Sequence, residues 1–160
     1  MKHIKLSVVT RMIPVLVICS VNSQPNEGEG QGKFSFTGKK WQMEKFMVAP
    51  AIDWDLDGTP DTDIFPLLEP CDRDDLLLFR EDQKMIRFSG AEKCDEDEEP
   101  AKEDGTWKYN ERTGMLTMAG DNKVEESKVL ESSAKRLTLK HVFKSTRGTE
   151  HALTATYVVR

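Results

Sequence analysis

The sequence predicts an all-β fold, an antiparallel barrel or sandwich, and two observations lead to this prediction. Short segments of alternating apolar and polar residues recur over 34–160, and clusters of Gly, Asn and Asp separate them. No segment has a clear helical period, apart from a turn near 64–68. Regularly spaced short strands of this kind are typical of a single closed or stacked sheet.

Eight strands are predicted from these patterns. They cover 38–48, 76–79, 84–89, 106–110, 115–119, 123–130, 137–144 and 152–159. In the first strand Trp41, Met43 and Met47 share one parity, so they are expected to face the same side. The residues expected to face inward, from strand parity, are Trp41, Trp107, Leu116, Met118, Leu139, Phe143 and Tyr157.

A series of short motifs resembles one known family. Gly38-Lys39-Lys40-Trp41 looks like the glycine-x-tryptophan region of lipocalins with one extra residue in the spacing, and Gly105-Thr106-Trp107 repeats it. Together with Cys71-Asp72-Arg73-Asp74-Asp75, Leu78-Phe79, Gly90 and Cys94, their order is similar to the lipocalin-like domains of exported Bacteroidetes proteins. The resemblance covers 38–160. It implies an antiparallel up-and-down barrel of about eight strands whose mouth or interior holds one small apolar ligand.

Six residues are predicted to line a ligand pocket in such a barrel. They are Trp41, Trp107, Leu139, His141, Phe143 and Tyr157. His141 lies on the apolar parity of its strand and is expected in the core or cavity, whereas His151 follows a turn and is expected to be exposed. The alternative is an interior filled by side chains, with function on the loops at the barrel mouth.

The first 23 residues predict export from the cytoplasm. Lys2 and Lys5 precede an apolar run at 12–19, which is too short to span a bilayer. Two processing routes are open, namely cleavage before Gln24 or lipidation of Cys19 in a lipobox-like stretch where Ile18 departs from the usual small residue. Residues 24–33 (QPNEGEGQGK) predict a flexible linker before the barrel domain at 34–160. We therefore expect a periplasmic, outer-membrane-anchored or secreted protein.

Two cysteines remain in the mature chain, Cys71 and Cys94. In an oxidising compartment such a pair in a small β domain predicts a disulfide. A metal site at these cysteines is disfavoured, because neither a CxxC motif nor a nearby histidine accompanies them.

An aspartate-rich turn predicts a calcium site. Its candidate ligands are Asp53, Asp55, Asp57, Asp61 and Asp63, and the spacing D-x-D-x-D-G matches the opening of calcium loops. Ile64 stands where an EF-hand has its bidentate glutamate. The alternative is a solvated acidic turn in which Asp61 or Asp63 caps the next element. The acidic run at 95–99 lacks this alternation and is expected to be a solvated loop.

The composition favours binding over catalysis. The chain has 23 basic and 28 acidic residues, a net charge of -5, and lacks the basic surface of a nucleic-acid binder. Motifs for a nucleophilic serine, a zinc protease or a phosphate loop are not found in the sequence. We expect a monomeric, extracytoplasmic lipocalin-like protein that holds a small hydrophobic molecule. The alternative is a protein-interaction module, an inhibitor or an accessory subunit, that acts through its mouth loops.

Overall fold

The computed structural model describes residues 34–160. The predicted export segment at 1–23, with the lipidation candidate Cys19, and the predicted linker at 24–33 lie outside the described residues. Both therefore stay predictions.

Eight antiparallel strands close into a barrel, as the sequence predicts, and a short ninth strand is added to the first. The strands are β1 (Lys40–Ile52), β2 (Asp61–Asp63), β3 (Leu76–Phe79), β4 (Lys84–Phe88), β5 (Ala101–Asn110), β6 (Met115–Gly120), β7 (Lys123–Ser132), β8 (Arg136–Lys144) and β9 (Glu150–Val159). Consecutive strands pair from β3 to β9, and β1 pairs with both β3 and β9, which closes the sheet. Closure leaves the barrel without long exposed edges.

One end of the barrel is filled by an aromatic cluster. It consists of Phe34, Phe36, Phe79, Trp107 and Tyr109. Segment 34–39 crosses this end before β1 begins, and the amide of Gly38 donates to the carbonyl of Phe79 at 2.9 Å. The indole of Trp107 donates to the carbonyl of Arg80 at 2.9 Å. These bonds satisfy polar groups that the ring packing would otherwise bury unpaired.

The residues predicted to face inward do so. Trp41, Trp107, Leu116 and Leu139 are buried. Met118 and Tyr157 pack against them as partly buried residues. Phe143 lines the interior near the other end of the barrel.

The prediction that Met47 faces the same side as Trp41 is wrong. The register of β1 against β9 shifts between Met43 and Lys45, so Glu44 is an extra residue in the strand. Such a β-bulge reverses the alternation of the residues that follow it. Phe46 consequently lines the interior, whereas Met47 is 38% exposed.

A second bulge lengthens β5 beyond the predicted strand. The register between β4 and β5 shifts at Asp104, and Gly105 has a φ of +127°. A Cβ atom at Gly105 would collide with the carbonyl oxygen of Ala119 on β6, so only glycine fits this close approach. The strand begins at Ala101, five residues before the predicted start at 106, and continues through the bulge.

The connection from β1 to β3 contains the elements that the sequence did not predict. These are β2 and a one-turn helix, α1 (Pro70–Asp74), which Pro70 opens at its first position. The predicted turn near 64–68 is present as a single 3₁₀ turn, Phe65–Leu67. Within 34–160, neither helical segment has the length or the apolar character to cross a membrane.

Candidate functional site

The barrel opens at the end opposite the aromatic cluster. The loops that follow β1 and β2, and those that precede β5, β7 and β9, meet there, because successive strands run antiparallel. Two adjoining cavities of about 480 Å³ and about 340 Å³ lie inside this mouth. Four residues line both of them: Met43, Met118, Glu125 and Tyr157.

The larger cavity has a mostly apolar wall, and we call it the apolar cavity. Its apolar side chains come from β1, β6, β8, β9 and the loop after β1, namely Met43, Phe46, Trp54, Met118, Leu139, Phe143, Leu153 and Ala155. Glu125 and Ser127 of β7, His141 of β8 and Tyr157 of β9 add polar groups. Its volume falls within the usual range for small-molecule sites.

The smaller cavity, which we call the polar cavity, surrounds Arg87 of β4. One Arg87 Nη atom lies 2.9 Å from Asp104 Oδ2, and the other lies 3.9 Å from Asp75 Oδ2. Burial would lower the pKa of Arg87, but the hydrogen bond and the charge of Asp104 outweigh it and the pKa is raised. Burial also raises the pKa of Asp75, against the amide of Gly90 and the charge of Arg87. Arg87 is therefore held as a cation between two carboxylates.

Tyr157 and Glu125 stand at the boundary of the two cavities. Burial raises the pKa of Tyr157 to about 12, with a smaller contribution from the charge of Glu125 and an opposing one from Arg87. The phenol is therefore neutral at physiological pH and can donate a hydrogen bond. The Glu125 carboxylate makes neither a hydrogen bond nor an ion pair with any residue in 34–160.

The two histidines of the barrel differ from each other in burial. His141 Nδ1 lies 2.9 Å from the carbonyl oxygen of Glu126, and the ring lines the apolar cavity. Since a carbonyl only accepts, the Nδ1 atom donates this hydrogen bond. The prediction that His151 is exposed is wrong. It is 5% exposed, stacks on Phe143 and donates to the carbonyl of Pro50, because β9 begins one residue before it.

Five of the six predicted pocket residues line these cavities. They are Trp41, Leu139, His141, Phe143 and Tyr157. Trp107 lies instead in the aromatic cluster, 2% exposed, and lines neither cavity, because its position near the end of β5 places it at the closed end. Phe46, Arg87 and Glu125 also line the cavities and are not predicted from the sequence. The parity of 123–127 places Glu125 and Ser127 on one face, but the strand has too few apolar residues to show which face is inside.

A disulfide joins two segments of the mouth. The predicted bond between Cys71 and Cys94 is formed and links α1 to the loop at 89–100, with 5.3 Å between the Cα atoms. Asp74 Oδ2 also accepts from the amides of Ala91 and Glu92, at 2.6 and 3.0 Å. This loop includes the acidic run at 95–99, which is mostly exposed, and the bonds hold its first residues against α1.

The structure brings together three of the five aspartates predicted as calcium ligands. Asp53, Asp55 and Asp61 each place a carboxylate oxygen within 4.8 Å of the other two. Asp57 and Asp63 lie outside this group. Their carboxylates accept from the amides of Thr59 and Phe65, at 2.7 and 3.2 Å. Asp53, Asp55 and Asp61 also accept local amides, from Gly58, Asp57 and Trp54, at 3.1, 3.2 and 3.0 Å.

An eight-stranded up-and-down barrel with an internal cavity at its open mouth is the architecture of the lipocalin class. The chain belongs to the family of lipocalin-like domains, whose family model matches residues 26–139. No curated protein matches the chain.

Two solved structures that resemble the chain are both of bovine odorant binding protein. One is a complex with a selenium-containing odorant, with 13% identity, 86% of this chain and 78% of that chain covered, and a TM-score of 0.42. The other is a deswapped triple mutant, with 12% identity, 78% and 73% covered, and a TM-score of 0.40.

Proposed function

We propose that the protein binds one small, predominantly apolar molecule in the apolar cavity. The observation that carries this proposal is the cavity itself, about 480 Å³ in volume, with Phe46, Leu139, Phe143 and Leu153 in its wall. Transfer of apolar surface from water into such a site is favourable, by about 25 cal/mol per Å². Membership of the lipocalin-like family supports the same role, which is binding rather than catalysis.

Filling the apolar cavity is expected to weaken ligand binding. Ala155 lines the cavity and is 8% exposed, so Ala155→Leu adds three carbon atoms where a ligand would lie. We expect octan-1-ol to bind saturably to the unmodified protein in a calorimetric titration, and Ala155→Leu to weaken binding by roughly tenfold or more.

The matched control is Ala152→Leu on the same strand. Ala152 pairs with Val142, which is 48% exposed, so its side chain lies on the outer face and its replacement is expected to change octan-1-ol affinity less than about twofold. Equal affinities for both variants, or no saturable binding at all, would contradict the proposal. In the second case the mouth loop with Trp54 and the 85% exposed Leu56 would favour a protein-interaction module instead.

We further propose that the protein acts outside the cytoplasm as a monomer. The Cys71–Cys94 disulfide supports this location, because such bonds persist in oxidising compartments. Intact-mass analysis of the native protein would distinguish a chain that begins at a lipidated Cys19, and is thereby anchored to a membrane, from one that begins at Gln24. A retained Met1 would contradict both.

We also propose a calcium site formed by Asp53, Asp55 and Asp61. The observation that favours it is Asp53 Oδ1, which is withdrawn from solvent and accepts no hydrogen bond, beside carboxylate oxygens of the other two residues. A hard cation would satisfy this atom and reduce the repulsion among the three carboxylates.

Calcium is expected to stabilise the folded protein through this site. With a dissociation constant on the order of 0.1 to 1 mM, calcium at about 100 times that value would add roughly 2.7 kcal/mol to the free energy of unfolding. Asp55→Asn should abolish the shift in melting temperature, whereas Asp57→Asn, in the same loop but outside the group, should retain it. A calcium response in Asp55→Asn as large as in the unmodified protein would refute the site.

A further inference from the structure

Glu125 is an inward-facing carboxylate in the wall of a largely apolar cavity. It lies on β7 opposite Met118 of β6, and it lines both cavities. Strand alternation places Ser127 on the same inner face and Glu126 on the outer face. A carboxylate in this position costs free energy once a ligand displaces the water around it, unless the ligand supplies a partner.

The cations nearest to the cavities do not neutralise Glu125. Arg87 is engaged by Asp104 at 2.9 Å and faces Asp75 at 3.9 Å. Lys123, which lies on β7 like Glu125, lines the polar cavity, but its ammonium is not within ion-pair distance of the Glu125 carboxylate. The carboxylate thus remains available to a ligand.

The polar cavity has a net negative charge, as Glu125 itself has. The polar cavity is lined by five carboxylates and two cations, an excess of three formal negative charges; these groups are Asp72, Asp75, Asp104, Asp121, Glu125, Arg87 and Lys123. An anionic head group entering there would meet like charges, whereas a cationic one would be attracted. The Ser127 hydroxyl, in the wall of the same apolar cavity, can also accept a hydrogen bond from the ligand.

We propose that the ligand of this barrel is an amphipathic amine, whose apolar part fills the apolar cavity and whose ammonium group is held by Glu125. This inference rests on the proposed function and adds the chemical class of the ligand. A charge-assisted hydrogen bond between ammonium and carboxylate is roughly twice as strong as a neutral one, and Glu125 is exposed at the mouth, where an entering ammonium can reach it.

Three probes with the same eight-carbon chain test the inference: octylamine, octan-1-ol and octanoic acid, titrated at neutral pH by calorimetry. We expect octylamine to bind about tenfold or more tightly than octan-1-ol, and octanoate to bind more weakly than either. Glu125→Gln should remove the preference, so that octylamine and octan-1-ol bind this variant with similar affinity. Glu126→Gln, its neighbour on the outer face, should retain the preference for the amine.

The probes separate this inference from the proposed function. If octan-1-ol binds and octylamine binds no more tightly, or if Glu125→Gln keeps the preference, the amine inference is overturned while the apolar site stands. If none of the three probes binds, the proposed function fails and the inference fails with it. Circular dichroism of both glutamine variants establishes that they are folded.

Discussion

Trp107→Ala is expected to lower the free energy of unfolding by about 3–5 kcal/mol. Trp107 is 2% exposed, and its ring centroid lies 5.4 Å from that of Phe36 and 5.9 Å from that of Phe79. Removing the indole leaves a cavity in the aromatic cluster and removes one of the two hydrogen bonds that the carbonyl of Arg80 accepts, the other coming from the amide of Gln83. Since small domains have a total stability of about 5–15 kcal/mol, this single change removes a large part of it.

Urea unfolding followed by circular dichroism measures this loss, and Trp54→Ala provides the control. Trp54 is the same residue type but lies in the mouth loop, 38% exposed, and its ring meets Phe46 at 6.2 Å. We expect its removal to cost less than about 1 kcal/mol, as for most exposed positions. The opposite order of the two effects would show that the aromatic cluster does not dominate the stability of the barrel.

The comparison of the two tryptophans also shows how far the sequence predicts the interior. Alternation identifies Trp107 as inward-facing, and the structure agrees. Alternation does not indicate depth along the barrel axis. From its inward direction alone Trp107 is predicted to line the ligand pocket, whereas it packs at the closed end of the barrel. Depth depends on the stagger between strands and on segment 34–39, which crosses one end and contributes Phe36 to the cluster.

The bulges explain most of the remaining differences. The positions of eight strands follow from turn chemistry and alternation, both of which are local properties. A bulge such as the one at Glu44 arises from pairing with a strand more than a hundred residues away, so the local pattern does not reveal it. Phe46 and Met47 exchange faces for this reason. The function of Glu125 is hidden similarly, since only closure of the barrel shows that its side of β7 is the inner one.

The sequence identifies the candidate carboxylates of the aspartate loop but not which of them lie together. The spacing identifies five carboxylates, yet only Asp53, Asp55 and Asp61 converge. Asp61 belongs to β2, whose pairing with β1 at Ile52 brings it back beside Asp53. Asp57 lies outside this group, and its carboxylate accepts from the amide of Thr59. Which carboxylates meet is thus decided by a strand pairing that is too short to be predicted from alternation.

Removing the Cys71–Cys94 disulfide is expected to lower the free energy of unfolding by about 3 kcal/mol. The bond closes a loop with a sequence separation of 23 residues, so it restricts the unfolded chain over the whole β3–β4 hairpin. We expect a Cys71→Ser, Cys94→Ser variant to show this loss in urea unfolding. The unmodified protein in the presence of a reductant should show the same loss, whereas the variant should not respond to the reductant.

The same variant also tests whether the disulfide affects ligand binding at the mouth. The walls of the apolar cavity lie on β1, β6, β7, β8 and β9 and in the loop after β1, none of which the disulfide joins, so octan-1-ol affinity at low temperature should change less than about twofold. Asp72 and Asp75 line the polar cavity beside α1, which the disulfide does hold, although the bonds from Asp74 to Ala91 and Glu92 remain. Part of the preference for octylamine should therefore be lost together with the ordering of α1. If the variant unfolds in urea with the same free energy as the unmodified protein, the proposed structural role of the disulfide is contradicted, because α1 and the loop at 89–100 are then ordered without it.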